Sequence, residues 1–517
     1  MVFQKGQFSK YCEPRFAASP WTELSPEWLA LDRELASTHV ARTVATAVCW
    51  LNLEPLFFSF RAGGSDAVSP ALMLRVVLVE MMQGRHHPSQ WYRDMAENAA
   101  LKWVALGIRP SRSTWYSFRD RVEPFLEGWF QQVLEMAVEQ DITPAKRASL
   151  DGSFVAANAS RHHMLNETVL TKHQAALEDT CKQDRQGQVP AKVPSWMAKK
   201  PSTRLQQIES YKRARKRLEE LQAINLNQNP ARRRPEEKMV VSATDVEAAI
   251  GRDKEKIFRP LYNVQVMQDL DSQLILNYDV FPQNSDGGTL RPMLQRQHDL
   301  FGISLSLILC DSHYVTGNNL ALCSDQKITL CGPWQANDYS STKKAKKKPG
   351  ESEIPKEQFI WLPDDQQYEC PEGYRLSWIG KESRKQADGE VNVVHRFRCS
   401  PRDCQACPRQ TSCTTNPARG RAVRRSEHEE VIELHRNYME TPEAKATYRL
   451  RKQTIELQYA NMKENRDLRR FSGRGLRRAR TEIGLLSLAH NLVVVDRYLH
   501  TRRGVGQTSE EWLAQAS

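Results

Sequence analysis

No run in this chain approaches the roughly 18 consecutive apolar residues that a membrane-spanning helix needs, so no membrane partner is expected. The opening residues Met1-Val-Phe-Gln-Lys-Gly-Gln7 lack the apolar stretch of a secretory leader, which points to a cytoplasmic protein. Cysteine is odd in number, 11 in 517 residues, and mostly scattered, which argues against a disulfide framework and for a reducing compartment. Acid is the scarcer charge. With 62 acidic against 74 basic residues the net charge is +12 and the pI about 9.1, a balance that favours a polyanionic partner.

The length accommodates about three ordinary domains, and the pattern divides it further. Residues 1–140 read as all helix. Ser25-Pro26 and Ser69-Pro70 place a capping residue before a Pro at the first helical position. Pro88-Ser89 opens another helix, and Pro110-Ser-Arg-Ser113 caps one that carries Arg112, Arg119 and Arg121. Short helices with a basic start suit either a helix-turn-helix reader of DNA, with Arg112 and Arg119 at phosphates, or a plain helical bundle.

From residue 141 to 335 the period changes to that of strands. Asp151 sits mid-strand in Lys146-Arg-Ala-Ser-Leu-Asp-Gly-Ser, before a Gly that permits close approach. A basic, aromatic-poor insertion follows at about 160–240, with an amphipathic helix marked by Leu205, Ile208, Leu218 and Leu221. Its other face carries Lys212, Arg213, Arg215, Lys216 and Arg217, solvated by default and suited to phosphates as the sharper alternative. Strand signals resume at Leu261–Met267 and Gln273–Phe281, separated as in a hairpin, then a helix from about Gly288 to Leu300. A strand over Ile303–Asp311 ends on an acid, and a short helix and a fifth strand, Lys327–Cys331, follow.

A second insertion spans 336–440. It holds the basic run Lys343–Lys348 and four cysteines, Cys399, Cys404, Cys407 and Cys413, with one C-x2-C knuckle. Four thiols so spaced can bind Zn²⁺ tetrahedrally, with Cys370 or His395 as substitutes for a member, or simply pack as reduced thiols. Residues 441–497 return to helix, and 498–517 read as a tail. The stretch Tyr448–Lys463 has no Gly or Pro, so one unbroken helix is expected. At 100° per residue it puts Tyr448, Lys452, Glu456, Tyr459 and Lys463 on one face. Beyond it Arg469, Arg470, Arg474, Arg477, Arg478 and Arg480 form a basic segment before a closing core helix.

Three acids stand out: Asp151, Asp311 and Glu456. Carboxylate oxygens suit Mg²⁺, and two such ions can drive phosphodiester cleavage. An RNase H-like mixed five-stranded sheet, with two insertions and an all-α N-terminal domain before it, would gather them. The motifs resemble those of the DDE transposases of bacterial insertion sequences, in the subgroup with a cysteine-bearing insert. The resemblance rests on Ser113–Arg119, Leu150–Asn158, Tyr262-Asn-Val-Gln265, Cys310-Asp-Ser-His-Tyr314, Tyr448-x2-Arg451-x4-Glu456-x6-Lys463, and the run from Arg474 to Leu492. His313 stands where Gly is commoner in that family, and Lys452 rather than Arg451 fits its usual spacing to the Glu. The resemblance implies that Asp151, Asp311 and Glu456 bind two Mg²⁺ or Mn²⁺ ions. Tyr448, Arg451 or Lys452, and Lys463 would hold DNA phosphates. The implied substrates are element ends and target DNA, handled by a dimer or larger assembly at the bacterial nucleoid. A non-transposing nuclease or a host-adopted DNA-binding protein are the alternative readings.

Overall fold

The computed structural model describes residues 14–60, 65–228, 230–253, 255–302, 304–334, 354–385, 391–414 and 416–503. The basic run Lys343–Lys348 lies outside them. The chain is mixed α/β with a helical N-terminal region, and it forms two compact units. One contains residues 1–145, 151–285 and 454–517; the other contains 146–150 and 286–453. No helix among the described residues is long and apolar enough to cross a membrane.

In the first unit the N-terminal helices form as the caps and periodicity predict. Pro70–Met82 is apolar nearly all round and is buried all round, as such a helix must be. The expected caps divide. Ser111 accepts the Thr114 backbone N–H at 3.2 Å, whereas Ser25 and Ser69 precede their helices without a side-chain bond. The closing helix, Leu476–Arg503, is longer than predicted. It packs on Val40–Ala47, Pro70–Met82, Leu126–Glu139 and the strand Ile275–Phe281. Its first N–H groups are met by acids: Gly475 N–H donates to Asp245 Oδ2 (3.0 Å) and Leu476 N–H to Glu247 Oε2 (2.9 Å). Further along, Asn491 bonds both the N–H and the carbonyl of Ile275, at 2.9 and 2.8 Å. Gly484 lets the helix approach Tyr278, whose hydroxyl would lie 2.7 Å from an added Cβ.

The strands of this unit are residues 151–156 of Arg147–Ala156, then Ala249–Arg252, Phe258–Asp269 and Ile275–Phe281. The last two are antiparallel, as the hairpin pattern predicts. Ala249–Arg252 pairs antiparallel with Phe258–Asp269 and escaped the sequence reading. Among the described residues it is one strand beyond those the sequence pattern predicted. The basic insertion folds here as two long helices, Glu167–Arg185 and Pro201–Leu226, packed on each other. Ile208 and Leu218 face its core as expected, but Leu205 is 46% exposed.

In the second unit Arg147–Ser149 pairs in parallel with Leu307–Leu309, which pairs in parallel with Thr329–Cys331. The acid-tipped strand is thus shorter than the predicted 303–311. The cysteine-bearing insertion is an antiparallel sheet in the order Ala422–Ser426, Val391–Cys399, Arg375–Lys385, Gln367–Glu369, Ile360–Leu362. Its strands were not anticipated, because charged residues interrupt their alternation.

The unbroken helix expected over Tyr448–Lys463 is not formed. One helix ends at Gln453 and another runs from Ile455 to Ala460, followed by a π turn over Asn461–Asn465. Thr454, between them, has φ −112° and ψ −102° and is buried. Thr is a weak helix former whose branched side chain stiffens the backbone, and tertiary bonds made by Tyr459 fix the direction of the second segment.

Candidate active site

The first strand carries Asp151 into the first unit with the side chain half-buried and Oδ1 accepting the N–H of Gly152 at 2.8 Å. The strand's neighbours on the same face, Ser149 and Ser153, are buried. The helix Ile455–Ala460 lies in the same unit. Ile455, Gln458 and Tyr459 form its buried side, which leaves Glu456 and Leu457 exposed.

Tyr459 ties the two together. Its hydroxyl, in a side chain only 5% exposed, lies 3.0 Å from the carbonyl oxygen of Asp151 and 2.8 Å from that of Val264. One proton shared between two carbonyls fixes the helix against the strand one turn from Glu456. The chain that follows runs beside the same strand: Ala156 N–H donates to Arg469 O (3.2 Å) and Phe471 N–H to Ala156 O (2.9 Å). Asn158 Nδ2 reaches Ser472 O at 2.5 Å, and Arg470 reaches Ala159 O at 2.7 Å. Two of the three predicted acids thus sit on directly tethered elements.

Asp311 belongs to the other unit, two residues beyond Leu307–Leu309. Its Oδ1 accepts the His313 N–H at 2.8 Å, and its Oδ2 lies 3.4 Å from His313 Nδ1. The imidazole in the place of a Gly is therefore a direct neighbour of the carboxylate. Tyr448 and Lys452 lie on the helix ending at Gln453, half-buried and exposed respectively, while Lys463 is half-buried in the π turn. Arg451 is 8% exposed and engaged within the protein, whereas Lys452 is exposed.

The basic residues of the N-terminal helices divide likewise. Arg112 is exposed at the start of Arg112–Val122. Arg119 is 4% exposed, stacks over Tyr116 and pairs with Asp120 at 3.1 Å. That position corrects its expected role at phosphates: the guanidinium is spent on packing. Burial alone would raise the Asp120 carboxyl, but two bonds from Arg478 (2.7 and 3.1 Å) and the neighbouring Arg119 together hold it below the usual range. Much of the downstream basic segment is paired in the same way, Arg469 with Glu464, Arg477 with Glu123 and Arg480 with Asp279.

Tyr262, Asn263 and Gln265 are fully buried and serve the sheet: Tyr262 donates to Asp245 at 2.6 Å and Asn263 to Ser285 O at 2.7 Å. His490 Nε2–H donates to Gln273 O (3.0 Å), and burial pushes its imidazole down to about 4. Sequence reasoning missed Tyr459 as a tether; its helical phase signalled only that it shared a stripe with Glu456. Among the described residues no group of three or more His, Cys, Asp or Glu side chains is arranged to hold a metal ion.

Residues 369–495 match a family model described as a transposase DDE domain. That segment contains Glu456 and the cysteine-bearing sheet from Glu369 onward; the strand Ile360–Leu362, Asp151 and Asp311 lie outside it. A search of curated proteins finds no match. Among solved structures, the chain is similar to a piggyBac transposase synaptic complex with hairpin DNA determined by cryo-EM. The TM-score is 0.28 at 9% identity, over 92% of this chain and 76% of that one, too remote a likeness to carry weight.

Proposed function

We propose that this protein is a DDE transposase with an RNase H-like core, which cuts phosphodiester bonds at the ends of a mobile DNA element and joins the freed 3′-OH groups to target DNA. The observation that carries the reading is the Tyr459 tether, which fixes the Glu456 helix to the backbone of Asp151. The transposase-domain match over the segment holding Glu456 supports it independently.

The donor set suits the metal chemistry in kind: Asp151, Glu456 and, on its motif alone, Asp311 offer the hard carboxylate oxygens that Mg²⁺ or Mn²⁺ prefers. When bound, paired cations supply a nucleophile at neutral pH and charge stabilisation at the leaving oxygen. The rest falls to the chain's own groups. Tyr459 holds the helix in place, His313 restrains the Asp311 carboxylate, and Lys452, Lys463 and Tyr448 face phosphates. Arg112 adds sequence-independent attraction for the element end, which salt weakens. Joining two ends requires at least a dimer in the active complex.

Glu456→Gln tests the reading, since it keeps size and helix while removing the charge. Binding of an end-bearing duplex should persist and nicking in Mg²⁺ should fall by at least about 10²-fold. A variant that nicks at the wild-type rate sinks the reading.

A further inference from the structure

The turn between the helices Pro70–Met82 and Pro88–Glu97 lies directly against the chain that leaves the Glu456 helix. Arg85 fixes the turn from its own side. Its N–H donates to Glu80 O at 2.9 Å, and its carbonyl accepts the indole N–H of the fully buried Trp91 at 2.7 Å. Gly84 has φ +73°, and an added Cβ would lie 3.1 Å from the Arg466 carbonyl carbon. His86, 5% exposed, donates its Nε2–H to the Arg466 carbonyl oxygen, and the Arg466 guanidinium reaches Met82 Sδ.

Arg466 is where the Glu456 segment ends. The π turn Asn461–Asn465 follows the helix directly and closes as Arg466 N–H donates to Asn461 O at 3.1 Å. Leu468 N–H then donates to Met462 O at 2.9 Å. Such turns are rare and often sit at functional sites; here the bond from His86 holds the carbonyl that follows the turn. The other ring nitrogen of His86, Nδ1, faces Glu482 Oε1 at 3.5 Å. Glu482 is 1% exposed on the closing helix, and its Oε2 accepts the Ser472 N–H at 2.9 Å and hydroxyl at 2.6 Å. A buried carboxylate is costly without partners, and His86 and Ser472 supply them. Ser472 O in turn accepts the side-chain amide of Asn158, just beyond the strand that carries Asp151. One imidazole therefore joins the start of the strap 466–472 to its end.

We infer that His86 is a positioning residue for Glu456, acting through Arg466; its bearing on the reaction rests on the proposed transposase reading. Tyr459 pins the helix to the Asp151 backbone at one point, and one point leaves a helix free to pivot. The bond to Arg466 adds a second point beyond the π turn. Two points fix the direction in which Glu456 and Lys463 are presented. The N-terminal helices belong to the same compact unit as Glu456, and through His86 they brace the helix that carries it.

The test compares wild type, His86→Ala and His86→Gln as full chains, by amide hydrogen exchange and by nicking of an end-bearing duplex in Mg²⁺. His86→Ala should speed exchange of the 461–468 amides at least about tenfold, while the helix Leu126–Glu139 stays protected. Nicking turnover should fall about 10–10²-fold with KM for the duplex unchanged, as misplaced catalytic groups predict. His86→Gln, whose amide N–H can reach the same carbonyl, should recover most of both. Should His86→Ala fail to fold, Gly84→Ala presses on the same Arg466 backbone and should loosen the same amides. Unchanged exchange over 461–468 overturns the inference whatever the nicking assay gives. Exchange speeded throughout the unit, loosened amides with wild-type nicking, or a Gln variant no better than Ala would overturn it too. Nicking that survives Glu456→Gln tells against the transposase reading instead, and the exchange result keeps the two failures apart.

Discussion

The helices Glu167–Arg185 and Pro201–Leu226 and the sheet between Ile360 and Ser426 are both insertions, yet they are held by different means. The helical pair closes an apolar seam of Leu170, Leu177, Ile208, Tyr211, Ala214 and Leu218. Across its base Arg204, with no exposed surface, meets Asp184 through two bonds and the carbonyls of Ala198 and Lys199. The sheet has a smaller aromatic core, Phe359, Tyr368 and Phe397, and concentrates its remaining buried chemistry in thiols and Arg421. Two long helices generate enough apolar contact to bury an ion pair. Short strands broken by charge bury a smaller core.

The strongest blow to the helical pair is Asp184→Ala. It leaves Arg204 buried without its carboxylate, and breaking such a pair costs about 3–5 kcal/mol. Hydrogen exchange should show protection lost through residues 167–226 and retained in the sheet. Replacing both partners with apolar residues of similar volume, Arg204→Met with Asp184→Leu, should restore most of it. If the single variant leaves exchange unchanged, the pair is not what holds these helices.

A smaller effect is expected from Gly420→Ala in the sheet, where the left-handed backbone and the Cys399 carbonyl both oppose a side chain. A loss of about 1–3 kcal/mol should appear as faster labelling of Cys399 and Cys404 by a thiol reagent, with the helical pair unaffected. Unchanged labelling would mean that the Gly420 turn does not govern access to these sulfurs.

The smallest effect separates the insertions by pH. His173 stacks on Trp196 at 3.8 Å, and burial, then Lys172, hold its imidazole below the ordinary 6.5. The folded form therefore binds this proton less tightly than the unfolded chain. Its contribution to stability is complete above about pH 6.5 and is lost as the pH falls below. His173→Gln should remove that sloping part of the exchange protection of the helical pair. A slope that survives the substitution assigns it to another group.

Local chemistry made much of this protein legible in its sequence. Pro at first helical positions, the strand around Asp151 and the Leu261–Phe281 hairpin follow from interactions between near neighbours, and the basic balance is a count over the chain. The tertiary structure decided what such patterns leave open. Helical phase put Tyr459 on a stripe with Glu456, but phase tells which residues share a side and not which one must turn inward to meet a strand. The break at Thr454 and the bonds to Asp151 and Val264 made that choice. Arg119 looked like a partner for phosphate until Asp120 and Tyr116 enclosed it. Cys370 stands 29 residues before Cys399 in the chain, yet cross-strand pairing of Leu376 with Cys399 brings its turn beside the other thiols. Spacing along a chain cannot reveal that juxtaposition, because strand register is fixed by packing between segments rather than within them.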